Sequence, residues 1–280
     1  MNNFIIILIF FLSIKYIISY LHIFIQNIKY EKNTQHPSKV NLSQLISNNK
    51  LKKPLQTRNK ILIITFDNRN DNYITAHNNN LKEYSKKWNI DYKFYNKCEK
   101  NIYWCKIYLI LDALKSNKYD FVMWLDSDTY IKNMNINLSD ILNQYNSDIF
   151  ICSDNNKNYD WVNAGVFIIK NSKIGRQFIE KCIESFYPEC LNNDNSLKGR
   201  WAGFCYEQGI MNILIANKYR KYTTILTNDI IFCNDKCVEN VFILHLFGSK
   251  EKKNSVENRD KCFRPLKIKN ETKRLKDNIL

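Results

Sequence analysis

The chain reads as an α/β fold in which parallel strands alternate with crossover helices. Three observations predict it. Short apolar runs such as "KILIITF" (60–66) stop abruptly at polar loops, here "DNRND", as buried strands do. Between such runs lie segments whose apolar positions recur at helical spacing. The resulting order, strand–helix–strand–helix–strand, brings each strand back to the same end of the sheet and so implies parallel pairing. Ligands of such sheets collect beyond the carboxyl ends of the strands.

The elements follow in order from residue 59. After the strand at 60–66, residues 72–88 are helical in pattern, and "IDYKFYN" (90–96) alternates as a strand does. "NIYWCKIYLILDALKSN" (101–117) is a helix with Asp112 and Lys115 outside, and "YDFVMWLDSDTYI" (119–131) is the next strand. A short helix is expected near 139–145, then strands at "DIFICS" (148–153) and "WVNAGVFIIKN" (161–171), and an amphipathic helix at 172–186. A Cys- and Gly-containing loop leads to a helix at "YEQGIMNILIAN" (206–217). Two late strands, "TTILTNDIIF" and "VFILHLFG", close the domain, which spans 59–250. Residues 251–280 read as a basic, solvated tail; from 249 onward 11 Lys and Arg stand against five Asp and Glu.

Composition excludes some classes. Hydrophobic residues make up 45% of the 280 and aromatics 14%, enough for a core and too many for general disorder. The formal charge of +15 favours anionic partners such as nucleotides, phosphates or acidic membranes. Only eight of the 42 basic residues are Arg, in a chain rich in Lys, Asn and Ile, so part of the charge follows an A+T-rich coding bias. No nucleic-acid recognition module is present, and no specific nucleic-acid partner is expected. Nine cysteines without a CxxC, beside four histidines, argue against structural zinc. Cys190 with Cys205 and Cys233 with Cys237 flank polar loops and can form disulfides in an oxidising compartment; the alternative is free, buried thiols.

At the N-terminus, residues 4–25 form a 22-residue apolar run broken only by Lys15 and His22, long enough to span a bilayer. No basic segment precedes it and no small-x-small site follows, which favours a retained single-pass anchor over a cleaved signal peptide. Lys29, Lys32 and Lys39 follow the run while its N-terminal side has no Lys or Arg, so the positive-inside rule places the large domain in the cytosol. Sequons at Asn41, Asn137 and Asn270 are usable only on the lumenal side. Residues 26–58 are polar, lysine-rich and aperiodic, a stem between membrane and domain.

The chemistry concentrates where the strand at 119–131 meets Asp126 and Asp128. Strand alternation puts both carboxylates on one face and Ser127 on the other. Two adjacent carboxylates repel, and a divalent cation resolves the conflict; hard oxygen ligands suit Mn²⁺ or Mg²⁺, with positions left for phosphate oxygens. The competing reading makes Asp126 a turn cap and Asp128 a solvated side chain. A phosphotransferase of the Asp-x-Asp type fits poorly, since Thr129 falls one residue early and position 130 is Tyr.

"YWCKIYLILDAL", "DFVMWLDSDTYI", "VNAGVFIIKNS", "YEQGIMNIL" and "ILHLFGSK" occur in that order over about residues 60–250. Together they resemble the GT-A glycosyltransferases, and most of all the type II membrane galactosyl-, mannosyl- and xylosyltransferases of family 34. The resemblance implies a GT-A fold, a Rossmann-like mixed sheet flanked by helices, behind a transmembrane anchor in a Golgi- or ER-like membrane. It also implies a UDP- or GDP-sugar donor, Mn²⁺ or Mg²⁺, a glycan or glycoprotein acceptor, and transfer of a hexose or pentose with retention. By position it implies that Asp126 and Asp128 bind metal and nucleotide-sugar, with His245 as third ligand. Gly248 and Lys250 would meet the diphosphate, Asn163 and Gly165 would line the donor sugar, and Lys106 matches a basic helix position. Glu207 and Gln208 match an acidic-Gln pair facing the reacting sugars. Here Glu-Gln stands for the group's Asp-Gln, and "HLFG" for "HFAG". A catalytically silent, membrane-anchored carbohydrate- or nucleotide-binding protein is the alternative function.

Overall fold

The computed structural model describes residues 59–69, 72–153, 161–227, 230–233 and 241–246. The anchor (4–25), the stem (26–58), Cys237, Gly248, Lys250 and the tail (251–280) lie outside the described residues. Among the described residues no helix is long and apolar enough to cross a membrane.

Among the described residues nine strands and five α-helices follow in chain order: β1 (Ile61–Phe66), α1 (Asn72–Trp88), β2 (Asp91–Tyr95), α2 (Cys105–Lys115), β3 (Phe121–Leu125), β4 (Thr129–Ile131), α3 (Leu138–Leu142), β5 (Ile149–Ser153), β6 (Val162–Lys170), α4 (Lys173–Glu184), α5 (Glu207–Leu214), β7 (Thr223–Leu226), β8 (Ile231–Cys233) and β9 (Ile243–His245). The main sheet has the order β2-β1-β3-β6-β5-β7. β1 pairs parallel with β2 and β3, and β5 pairs parallel with β7, as the alternation of elements predicts. β6 runs antiparallel to both neighbours, β3 and β5, so the sheet is mixed.

The strand sequences follow from their place in the sheet. β1, β3 and β5 are buried along almost their whole length, because helices or a second sheet cover both faces, and they read as continuous apolar runs. β2, at the edge, alternates exposed and half-buried residues. One face of the sheet presents Leu62, Ile64, Val122 and Trp124 to α2, α4 and α5; the other presents Ile61, Ile63, Phe121 and Met123 to α1 and α3. Ser172 caps α4, its hydroxyl accepting from the Gly175 backbone N–H at 3.0 Å.

A second, small sheet has the order β4-β9-β8, with β4 antiparallel and β8 parallel to β9. Its existence corrects two expectations. The segment 119–131 is not one strand: β3 ends at Leu125, and a turn over Asp126–Asp128, closed by Thr129 N–H to Asp126 C=O at 3.0 Å, switches the chain into β4. Likewise 223–232 is split, β7 joining the main sheet and β8 the small one. The functional rim is built around that first turn.

Candidate functional site

Three segments supply the cluster. The turn after β3 carries Asp126 and Asp128, and the register of β4 on β9 sets Thr129 opposite His245, so the last described strand delivers an imidazole beside Asp128. Backbone bonds lock the arrangement: Asp126 N–H to Gly165 C=O at 2.8 Å, and Leu246 N–H to Asp128 C=O at 3.0 Å. One ligand atom from each of Asp126, Asp128 and His245 lies within 4.8 Å of the others. The two carboxylates do share a side, but the turn brings them there rather than strand alternation. Ser127 points instead into the protein, where its hydroxyl donates to Asp67 at 2.5 Å.

His245 is buried, with Nε2 3.1 Å from Asp128 Oδ1. Burial disfavours the imidazolium, but Asp128 outweighs it and holds the ring proton up to about 10. Gly165 makes room for this ring. A Cβ at that position would lie 2.0 Å from His245 Cε1 and 2.6 Å from Nε2, so any side chain there collides with the imidazole. Asn163 is likewise buried, and its Oδ1 accepts from the Gly165 N–H at 2.8 Å, which braces the strand behind the ring.

Below the rim lies a buried charge network. Lys106, on α2, has Nζ 3.1 Å from Asp126 Oδ1, 3.0 Å from Glu207 Oε1 and 3.2 Å from the Ala164 carbonyl. Burial works against the ammonium, yet the Asp126 and Glu207 carboxylates raise its pKa above the ordinary lysine value. Glu207 opens α5 and is buried; burial pushes its carboxyl up while Lys106 pulls it down. Glu207 Oε2 has no hydrogen-bond partner among the described residues. The neighbouring Gln208 turns to the sheet, its Oε1 accepting from Ala164 N–H at 3.1 Å, which ties α5 to β6.

Two carboxylates and an imidazole in reach of one another, beside a glycine that only a missing Cβ keeps compatible with the ring, form a donor set suited to Mn²⁺ or Mg²⁺. Asp126 and Asp128 remain partly accessible, at 32% and 23% of side-chain area, leaving a side open to a ligand.

The model of one protein family, nucleotide-diphospho-sugar transferase, matches residues 56–260. The chain belongs to that family. Among solved structures, a glycosyltransferase involved in glycosylation of the major capsid of PBCV-1 superposes with a TM-score of 0.54 at 16% identity, covering 72% of this transferase and 98% of that chain. The apo-form glycosyltransferase GlyE of Streptococcus pneumoniae TIGR4 gives a TM-score of 0.45 at 14% identity, covering 74% and 62%. No curated protein matches the sequence. The first of these similarities supports a glycosyltransferase fold for the domain.

Several residues of the transferase's rim escaped sequence reasoning. Trp124, two residues before Asp126 on β3, donates Nε1–H to Asp126 Oδ1 at 2.6 Å. Asp67, at the end of β1, is buried; burial opposes its charge, but the Arg69 guanidinium and the Ser127 hydroxyl hold it below the usual carboxylate range. His77 on α1 joins the turn from behind. Its Nδ1 lies 2.8 Å from Thr129 C=O, which fixes that nitrogen as donor, so Nε2 accepts from Thr65 Oγ1 at 3.1 Å. Asp67 was discoverable: like Asp126, it is an acid at the carboxyl end of an apolar strand.

Cysteine pairing was half legible. Cys190 and Cys205 are bonded, as their flanking of a polar loop allowed, and Cys152 and Cys182 are buried thiols outside either disulfide. The Cys98–Cys105 bond was missed.

Proposed function

We propose that the chain transfers a hexose or pentose from a UDP- or GDP-sugar to a glycan or glycoprotein acceptor, with retention at the anomeric carbon. The observation that carries this reading is the Asp126–Asp128–His245 cluster at the carboxyl rim of a nucleotide-sugar transferase fold, standing directly above the Lys106–Glu207 pair. Asp126, Asp128 and His245 would hold Mn²⁺ or Mg²⁺, which when bound supplies positive charge against the donor diphosphate.

The other residues orient and charge the site. Lys106 contacts both Asp126 and Glu207 from a buried position and fixes both side chains. Glu207 Oε1 is spent on that contact, and Oε2, which has no hydrogen-bond partner among the described residues, would serve the reacting sugars as an oriented acceptor for a hydroxyl or as negative charge against an oxocarbenium-like centre. In the transfer, the bond from the anomeric carbon to the diphosphate oxygen breaks and one to the acceptor oxygen forms on the same face. The acceptor's proton passes to the departing phosphate. Gly248 and Lys250, in the "HLFGSK" segment just past β9, are proposed to meet that diphosphate. The Cys98–Cys105 and Cys190–Cys205 bonds support a type II orientation behind the 4–25 anchor, with the domain in an oxidising lumen.

The test is nucleotide release by the purified full chain from a panel of UDP- and GDP-sugars, with and without Mn²⁺ and with varied acceptors. Release that requires the ion and is lost in Asp128→Ala is expected. Undiminished release by Asp128→Ala or after chelation would remove the metal-site reading, and sugar binding without any release would leave the silent binder.

A further inference from the structure

Beside Glu207 lies a group of three aromatic rings, one exposed and two half-buried, that the donor-side residues do not use. Trp201 is 60% exposed. Its ring centroid lies 5.0 Å from that of Tyr103, in edge-on contact, and 5.1 Å from that of Tyr206; Tyr103 and Tyr206 are 5.2 Å apart. Tyr206 immediately precedes Glu207, and Tyr103 stands three residues before Lys106, so two of the rings sit at the heads of the helices that carry the buried pair. The Tyr103 hydroxyl is within electrostatic reach of that pair: burial raises its pKa, Tyr206 and Glu207 add to the rise, and Lys106 opposes it.

The rings are held rather than left to collapse. Cys98–Cys105 closes the approach to α2, and Cys190–Cys205 ties down the loop that carries Trp201. Trp104 Nε1–H donates to the Cys205 carbonyl at 3.0 Å, linking the two bridged segments. α5 packs directly on the loop backbone, since a Cβ at Gly209 would lie 2.0 Å from the Gly203 carbonyl oxygen. An exposed Trp201 backed by two half-buried tyrosines, on segments held by two covalent bridges, is pre-organised for a partner, because its ordering cost is met before binding. Tyr103 and Tyr206 also pack on the core, so the ring that stands out into solvent beside the proposed reaction centre is Trp201.

We propose that Trp201, with Tyr103 and Tyr206, is the acceptor subsite and receives a pyranose ring of a glycan acceptor against its aromatic faces. This rests on the transfer reaction proposed above and names the substrate class of its second half. A pyranose offers an apolar C–H face with weakly positive hydrogens, which the negative face of an aromatic ring attracts. Its equatorial hydroxyls project around the rim, where the Tyr103 and Tyr206 hydroxyls can donate or accept. A peptide acceptor would instead need partners for its backbone groups, and rings and phenols do not supply an array of them.

The test separates this subsite from the transfer reaction. The full chain, in detergent, is titrated with cellotetraose, lactose, mannobiose and an unglycosylated Ser/Thr peptide, and binding is followed by saturation-transfer NMR and calorimetry, which need no turnover. At least one saccharide is expected to bind with transfer concentrated on C–H protons, about tenfold more weakly in Trp201→Ala and within about threefold of wild type in Trp201→Phe. Equal saccharide affinity in Trp201→Ala, binding of none of the saccharides, or binding of the peptide alone would overturn the subsite. Failure of nucleotide release with saccharide binding intact would count against the transfer reaction and not against the subsite.

Discussion

At the scale of single residues, the rim depends on groups whose roles only make sense in pairs. Lys106 lies buried between Asp126 and Glu207, and Lys106 and Glu207 would each be costly there without a partner, since an unpaired buried charge loses its hydration with nothing in return. Gly165 and His245 form a second pair, one defined by an absence of atoms. Gly165→Ala is therefore expected to act through the imidazole. The new Cβ cannot share space with the ring, 2.0 Å away, and the Gly165 backbone cannot yield easily because Asn163 and Asp126 both bond to it. The ring must move off Asp128. Mn²⁺ affinity, measured by calorimetry or by loss of the free-ion spin-resonance signal, should fall about 10- to 100-fold, as when the support of a metal ligand is disturbed. Overpacking should also cost about 1–3 kcal/mol in chemical denaturation. Wild-type Mn²⁺ affinity in a folded Gly165→Ala protein would show that His245 is not a ligand.

At the scale of elements, the parts legible in the sequence are those whose local pattern has one physical meaning. β1, β3, β5 and α2 were readable from apolar runs and helical spacing. The antiparallel course of β6 was not, because a strand buried on both faces has the same continuous apolar run in either direction. Asp-Ser-Asp-Thr suits a strand end and a turn alike, so the convergence of Asp126 and Asp128 was foreseen for a reason that the turn replaces. Lys106 could not be placed inside, because the partners that make its burial tolerable arrive from β3 and α5. The Cys190–Cys205 bridge shows what an element-level constraint contributes. Closing a separation of 15 residues should stabilise the fold by about 3 kcal/mol, chiefly by restricting the unfolded chain. Cys190→Ala/Cys205→Ala is expected to lose that amount in urea denaturation and to become protease-sensitive within residues 191–204. Unchanged stability and resistance would mean that packing of α5 on the Gly203 backbone already fixes the loop.

At the scale of the whole molecule, two physical cues about the membrane point in opposite directions. Lys29, Lys32 and Lys39 after the apolar run draw the domain toward the cytosol, whereas the two disulfides call for a compartment where glutathione does not keep thiols reduced. The positive-inside preference is a bias summed over a few flanking charges, and in an A+T-rich coding context lysines accumulate without selection for topology. The disulfides are more demanding, because they join residues next to Lys106 and two before Glu207, where reduction would loosen the Lys106–Glu207 pair and the ring array together. The domain should therefore lie in the lumen. In microsomes bearing the full chain, a fragment containing residues 59–246 is expected to survive added protease until detergent is present. Cys98, Cys105, Cys190 and Cys205 should resist maleimide labelling in denaturant until a reductant is added. Digestion without detergent, together with ready labelling of those four thiols, would place the domain in the cytosol and make the lysine flank the stronger determinant.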